Sequence, residues 1–247
     1  MPTIDRNGIA LAYHHSSGTG PTIVFLPGYA SDMSGSKAVA IDDWARENGR
    51  ACLRFDYAGC GESGGAFEDQ TLASWRDDAL AVIDTVTIGP VILVGSSMGG
   101  WIMLLAALAR PERVAAMIGI AAAPDFTDWG FTTEQKAVLY SNGRLEEPSI
   151  YSPEPTVTTL GFWESGETNR LMQAPIDLAV PARLIHGQRD PDVPWEHSLM
   201  LAGLLRSDDV QTMLVKDGDH RLSRPQDIAL ILHALEDLLG SDLTATP

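Results

Sequence analysis

Short apolar runs alternate along the chain with segments of helical period. The runs predict strands at Ile9–His14, Thr22–Leu26, Ala51–Phe55, Val91–Gly95, Val114–Ala121, Ala182–His186 and Val210–Val215. Apolar residues recurring on one helical face predict helices at Ser36–Glu47, Leu72–Val86, Met98–Ala109, Glu196–Leu205 and Pro225–Leu239. Ile23-Val24-Phe25-Leu26 and Val91-Ile92-Leu93-Val94 are apolar at every position. Successive strand side chains point to opposite faces, so both faces of these strands must be covered. Strands of that kind alternating with helices predict a doubly wound α/β fold, a mostly parallel sheet flanked by helices.

The alternation fails between about 125 and 178, a stretch that holds Trp129, Phe131, Tyr140, Tyr151, Phe162 and Trp163. It is too long for an ordinary connection. It is expected to be a small cap insertion in a single 1–247 domain, lying over the C-terminal edge of the sheet where open α/β sheets bind ligands. Thr244–Pro247 reads as a frayed tail.

Composition narrows the function. An apolar content of 45% excludes a disordered chain. Seventeen Lys and Arg against 33 Asp and Glu leave a net charge of −16, which argues against nucleic acid as a partner and against an anionic membrane surface. Cys52 and Cys60 are too few for a disulfide framework and read as buried free thiols. The N-terminus lacks the basic and apolar regions of a signal peptide. The apolar run Trp101–Ala109 falls far short of the roughly 20 residues that span a bilayer. The expected location is therefore cytoplasmic.

The most informative segment joins the Val91–Gly95 strand to the Met98–Ala109 helix through Gly95-Ser96-Ser97-Met98-Gly99. This is G-x-S-x-G in a strand–turn–helix context, a sharp turn that lifts a serine hydroxyl clear of the sheet. Side chains two before and two after that serine would collide, so Ser97 is the expected nucleophile. Ser96 has the bulkier Val94 and Met98 in those places. Gly61-Glu62-Ser63-Gly64-Gly65 has the same spacing without the flanking strand and helix. Gly59 to Gly64 also fits the dinucleotide pattern G-x-G-x-x-G but opens no helix to hold a pyrophosphate.

A serine needs a base, and the base an orienting acid. With such an elbow the chain order is serine, acid, histidine. His14 and His15 precede Ser97, on a strand expected at the sheet edge. His186 ends a strand and is expected to be structural, and His197 and His233 fall on helices. His220 lies in a loop after the Val210–Val215 strand and is the expected base. Asp190, Asp192 and Asp125 all stand at strand ends between the two, and position alone separates neither Asp190 from Asp192 nor excludes Asp125. The oxyanion donors are expected to be the backbone N–H groups of Met98, next after the nucleophile, and Tyr29, in the loop after Thr22–Leu26. Trp101, Trp129, Phe162 and Trp163 are expected to form an apolar pocket wall suited to uncharged acyl chains. An anionic substrate would need local arginines, with Arg54, Arg183 and Arg189 as candidates.

With these residues in place, the chain resembles the serine esterases of the α/β-hydrolase fold over nearly its whole length. Phe25-Leu26-Pro27-Gly28-Tyr29 is similar to that family's oxyanion loop, with Pro27 where a histidine is usual. Asp56-x-x-Gly59-x-Gly61-x-Ser63 matches another of its loops and accounts for the extra glycines. His186-Gly187-x-x-Asp190-x-x-Val193-Pro194 resembles the acid motif, which implies Asp190 as the acid, and Gly218-Asp219-His220 resembles the histidine loop. Leu26-Pro27-Gly28-Tyr29 and Ser96 to Trp101 further resemble a mitochondrial branch of the family in mammals. The resemblance implies a carboxylesterase working through an acyl-enzyme, with no cofactor and no metal, on a small-molecule ester. The alternatives are an acyl-protein or acyl-CoA thioesterase and a non-catalytic ligand receptor on the same fold.

Overall fold

The computed structural model describes residues 1–149 and 153–240, so Tyr151 and the tail at Thr244–Pro247 lie outside the described residues. The chain runs through β1 (Thr3–Arg6), β2 (Ile9–Ser16), β3 (Thr19–Leu26), α1 (Ser36–Glu47), β4 (Arg50–Phe55) and α2 (Leu72–Val86). It continues through β5 (Val91–Ser96), α3 (Met98–Ala109) and β6 (Val114–Ile120). Then come α4 (Phe126–Trp129), α5 (Thr133–Asn142), β7 (Arg144–Glu147), β8 (Thr156–Thr159) and α6 (Leu160–Thr168). Last are β9 (Ala182–Gly187), α7 (Glu196–Leu204), β10 (Val210–Val215) and α8 (Pro225–Gly240).

Eight strands form one sheet in the order β1-β2-β4-β3-β5-β6-β9-β10. All neighbours from β4 to β10 are parallel; β2 runs antiparallel to β4, and β1 antiparallel to β2. The strictly apolar strands are buried on both faces, as expected. Val24, Leu26 and Leu93 join a core with α2 and α3, whereas Ile23, Phe25, Ile92 and Val94 join a second core with α1 and α8. The period of two thus divides each strand between two helical layers. Cys52 and Cys60 are buried free thiols, and burial raises both thiol pKa values to about 12, far from reactivity at neutral pH.

The sheet departs from expectation at its edge. β1, which the short sequence Thr-Ile-Asp-Arg does not announce, caps the sheet, so β2 with His14 and His15 is an inner strand. A distant partner holds β1: Arg6 pairs with Asp78 of α2, whose other oxygen accepts the Ala58 N–H at 2.9 Å.

Between β6 and β9 lie three helices and the β7–β8 hairpin. Leu139, Leu145 and Trp163 form a small core there. The neighbouring Phe162 faces the other way, into the main core beside Tyr29, Trp75 and Phe126. Adjacent helical residues point about 100° apart, so α6 joins the hairpin to the body through this pair.

From β3 the chain passes to β4 on one side, and β5 then inserts on the other. This topological switch opens a crevice at the C-terminal ends of β3 and β5, where such sheets bind ligands.

Candidate active site

Ser97 stands at that switch. Its backbone has φ 56° and ψ −122°, a costly conformation for a residue with a side chain. The turn holds it there: the Ser97 N–H donates to Ile120 O at 2.9 Å, and its carbonyl accepts from Gly100 and Ala123 at 2.9 and 3.0 Å. The flanking glycines are required by contact. A Cβ on Gly95 would lie 2.4 Å from Gly99 O, and one on Gly99 would lie 2.1 Å from Leu26 O and 2.5 Å from Pro27 O. Gly99 therefore lets the Pro27-Gly28-Tyr29 loop close onto the elbow. Gly99→Ala is expected to destabilise the protein by about 3 kcal/mol through overpacking against fixed backbone. Thermal unfolding checks this, with an expected fall of about 6–12 °C in Tm.

β9 and β10 are parallel neighbours, so the loops that leave them meet. The Arg189 N–H donates to Gly218 O at 2.9 Å, tying the acid loop to the histidine loop. His220 Nε2 then lies 3.1 Å from Ser97 Oγ, and His220 Nδ1 lies 2.7 Å from Asp190 Oδ2. The Asp190 side chain is wholly buried and that of His220 nearly so. Asp190 Oδ1 accepts the N–H groups of Asp192 and Val193 at 2.8 and 2.9 Å. Burial acts to raise the Asp190 pKa. Hydrogen bonds from His186 and His220, the His220 charge and the Val193 amide outweigh it and hold the carboxyl well below its usual range.

The carboxylate at hydrogen-bond distance from His220 is therefore that of Asp190. Asp192 contributes its backbone N–H to Asp190, and the residue, itself exposed, lines the cleft beside Ser97. Asp125 accepts the Leu171 and Met172 N–H groups and fastens the start of the insertion to its end. Ser63, from the other glycine-rich loop, is engaged in structure: its hydroxyl donates to Asp56 O and accepts the Ala12 N–H. Of the remaining histidines, His14 faces Asp42, His197 lies against Trp129, and His233 lies beside Glu236 on an exposed face.

His186 does more than the sequence suggested. It is fully buried, with Nε2 at 3.2 Å from Asp190 Oδ2 and 3.1 Å from Val193 O, and Nδ1 at 2.7 Å from Ser198 Oγ. A carbonyl only accepts, so Nε2 carries the proton and Nδ1 accepts from the serine hydroxyl. The ring thus donates to the same carboxylate oxygen as His220. Its sequence signal was the i, i+4 spacing to Asp190. His186→Phe is expected to lower kcat roughly tenfold to a hundredfold by removing one charge-assisted donor. Steady-state kinetics on one ester would show the loss in kcat, with KM little changed.

Asp190, Asp192 and His220 offer ligand atoms within 4.8 Å of one another, a grouping that sequence spacing did not reveal. Both Asp190 oxygens are already occupied by N–H groups, and His220 bridges Asp190 to Ser97. The arrangement is that of a proton relay rather than a cation cage.

Met98 begins α3, so its N–H has no acceptor within the helix. The Tyr29 N–H likewise meets no protein acceptor among the described residues. A Cβ on Gly28 would lie 3.4 Å from Ser97 Cβ, which places this loop directly over Ser97. The Tyr29 ring packs edge-on against Phe67, Trp75 and Phe162, and its hydroxyl donates to Val157 O of β8 at 2.6 Å.

A cleft of about 430 Å³ opens beside Ser97 and His220. A second hollow of about 330 Å³ shares Tyr29, Ala30 and Thr156 with it. The expected aromatic wall is elsewhere. Trp101 is buried in the core with its indole N–H on Asn169 O; Trp129 bonds Pro124 O; Phe162 and Trp163 serve the packing of α6. The cleft is instead lined largely by polar residues and the start of α1, among them Asp32, Lys37, Asp192 and Arg221. Arg54 and Arg183 are committed to Asp42 and to Asp209 and Asp237, and neither they nor Arg189 lines it.

Comparison with known proteins agrees with this fold. The model of the alpha/beta hydrolase fold family matches residues 21–146. Human palmitoyl-protein thioesterase ABHD10, mitochondrial, is 43% identical over 233 residues, covering 93% of this chain and 76% of the human protein. The solved structure of mouse alpha/beta hydrolase domain-containing protein 10 superposes with a TM-score of 0.90 at 41% identity, covering 96% of this chain and 97% of that one. A solved chain from Agrobacterium vitis S4 gives a TM-score of 0.90 at 42% identity, with the same coverage. The resemblance to a mitochondrial branch of the family in mammals, suggested by the sequence, is thereby borne out. The cytoplasmic expectation is overturned: the human, mouse and rat relatives, at 41–43% identity, are all named mitochondrial. Among the described residues no helix is long and apolar enough to cross a membrane. From the family match, the relatives and the eight-stranded sheet with its serine elbow, this chain belongs to the α/β-hydrolase fold family.

Proposed function

We propose that this chain is a serine hydrolase that cleaves carboxylic esters and thioesters through an acyl-enzyme. The observation that carries the reading is the unbroken Ser97–His220–Asp190 hydrogen-bond series. Ser97 Oγ attacks the acyl carbonyl while His220 Nε2 takes its proton. Asp190 holds Nδ1–H, which leaves Nε2 free to accept. The N–H groups of Met98 and Tyr29 stabilise the tetrahedral oxyanion. The C–O or C–S bond breaks, and the His220 proton passes to the departing alkoxide or thiolate. Water then attacks the acyl-enzyme by the same route, releasing the acid and restoring Ser97.

Carboxylesterase activity is the primary reading. The thioesterase reading is favoured by a separate observation, that the mammalian relatives at 41–43% identity are named palmitoyl-protein thioesterases. An intact relay argues against a receptor without turnover. The test is an activated organophosphonate followed by intact-mass measurement. One adduct on wild type and none on Ser97→Ala supports the reading, and an adduct that persists in Ser97→Ala refutes the choice of serine. Matched alkyl esters and thioesters of one acyl chain then rank the two activities.

A further inference from the structure

The loop over Ser97 closes as a turn in which the Ser31 N–H donates to Gly28 O at 3.2 Å. Its third residue, Ala30, has φ 50°, whereas Tyr29 keeps a negative φ. Such a turn favours glycine in the third place, because a Cβ there crowds the neighbouring carbonyl. Ala30 is exposed, so its own side chain offers no packing to offset that cost. It lines both the cleft beside Ser97 and the adjoining hollow. A backbone of this kind persists where its surroundings over-determine it.

The side chain of Tyr29, next to Ala30, supplies that restraint. Its ring lies edge-on to Phe67 and Trp75, at centroid distances of 5.4 and 5.6 Å. It lies edge-on also to Phe126 of α4 and Phe162 of α6, at 6.2 and 4.8 Å. The hydroxyl then donates to Val157 O at 2.6 Å, and Val157 stands in β8 opposite Glu146 of β7. Phe126, Phe162 and Val157 all belong to the insertion between β6 and β9. Burial, against the opposing Thr158 side chain, raises the Tyr29 pKa, so the hydroxyl stays a donor throughout the neutral range. A ring needed for packing alone could be phenylalanine. The hydroxyl adds direction, since it ties the far end of the side chain to one carbonyl. The Cα–Cβ bond and the backbone N–H share one tetrahedral carbon and its nitrogen, so anchoring the side chain restrains the aim of the N–H.

We infer that the Tyr29 hydroxyl is a positioning group: through its bond to Val157 O, the insertion holds the turn of residues 28–31 in its costly form and so aims the Tyr29 N–H at the oxyanion. The inference rests on the hydrolase reading above and gives the insertion a part in it beyond covering the cleft.

The test is Tyr29→Phe, which keeps the ring and deletes the bond. Rates on 4-nitrophenyl hexanoate are divided by the Ser97 sites that take the organophosphonate, so that lost folding is not counted as lost chemistry. Deleting one oxyanion donor outright costs on the order of a hundredfold or more, and a donor that is present but poorly aimed is expected to cost about tenfold in kcat. KM is expected to stay the same, because the oxyanion develops only on the way to the transition state. The inhibition constant of 1,1,1-trifluoroheptan-2-one, whose adduct with Ser97 carries the same oxyanion, is expected to rise by the same factor. Ala30→Gly removes the conformational cost, so adding it to Tyr29→Phe is expected to restore most of the lost kcat. A hydroxyl that serves stability alone would lower Tm and the number of titrated sites, and would leave kcat per site and the ketone constant unchanged, which overturns the inference. A loss that Ala30→Gly does not relieve also overturns it. Should wild type neither turn over an ester or thioester nor take the organophosphonate, the hydrolase reading fails separately. Deuterium uptake over residues 26–33 then decides the clamp: faster uptake in Tyr29→Phe supports it, and equal uptake overturns it.

Discussion

Replacing Ser97 with alanine is expected to reduce kcat by about a million-fold, leaving only the residual rate that oriented binding and the oxyanion donors supply. The magnitude follows from the geometry. In the proposed mechanism Ser97 Oγ is the nucleophilic atom at the end of the relay, 3.1 Å from His220 Nε2. Alanine fits the same backbone, since the φ of 56° already accommodates a Cβ. The fold should therefore survive, and far-UV circular dichroism and Tm separate lost chemistry from lost structure. His220→Ala should cost about as much, and the double variant little more, because the two act as one unit. Additive losses in the double variant would show that they do not.

Asp190→Asn is expected to lower kcat by about ten-thousand-fold, because it reverses the proton arrangement of the relay. Asp190 Oδ1 accepts two backbone N–H groups, at 2.8 and 2.9 Å, so the carbonyl oxygen of an asparagine would take that place. Its NH2 would then face His220 Nδ1 and His186 Nε2, both donors in the wild type. His220 would have to accept at Nδ1 and carry its proton on Nε2, where it can no longer receive one from Ser97. His186 cannot respond in the same way, because Val193 O requires a donor at Nε2. A buried donor facing a donor therefore adds a stability loss of about 1–3 kcal/mol. The stability effect also depends on pH. A carboxyl held below its unfolded value contributes stability above the unfolded pKa and loses it as pH falls toward the folded one. The difference in stability between wild type and Asp190→Asn should thus be full at neutral pH and shrink below about pH 4. A kcat within tenfold of wild type would remove Asp190 from the role of acid.

Much of this was legible in the chain itself. Strands buried on both faces declare themselves by unbroken apolar runs, and Ile23–Leu26 and Val91–Val94 lie where those runs put them. The elbow was legible because its constraint is local: Gly95 and Gly99 lie within a few residues of Ser97 and nearly touch each other or the adjacent loop. Strand β1 was not legible, since its four residues have no strong period and depend on Arg6 reaching Asp78 of α2. The β7–β8 hairpin was hidden for a like reason, as its pairing and the small core of Leu139, Leu145 and Trp163 form only once α5 and α6 are folded.

The pocket shows the same division more sharply. Bulky aromatics between about 125 and 178 suggested an apolar wall, but Phe162 and Trp163 are drawn into two different cores from adjacent positions of α6. Lys37 carried no sequence signal, because a lysine in the first turn of a helix is ordinarily a solvated residue; it faces the cleft because α1 begins beside the switch point.

The sequence by itself determined the layers of the fold and marked Ser97 as the candidate nucleophile, with the expected order of the groups that would activate it. These follow from hydrophobic period and from contacts between near neighbours in the chain. The tertiary structure alone decided that His186 shares the Asp190 carboxylate with His220. It alone decided, too, that Lys37 and Arg221 line the cleft beside Asp32 and Asp192. Those outcomes depend on the parallel pairing of β9 with β10 and on where α1 starts, contacts between segments far apart in the chain, where no local pattern can specify a distance.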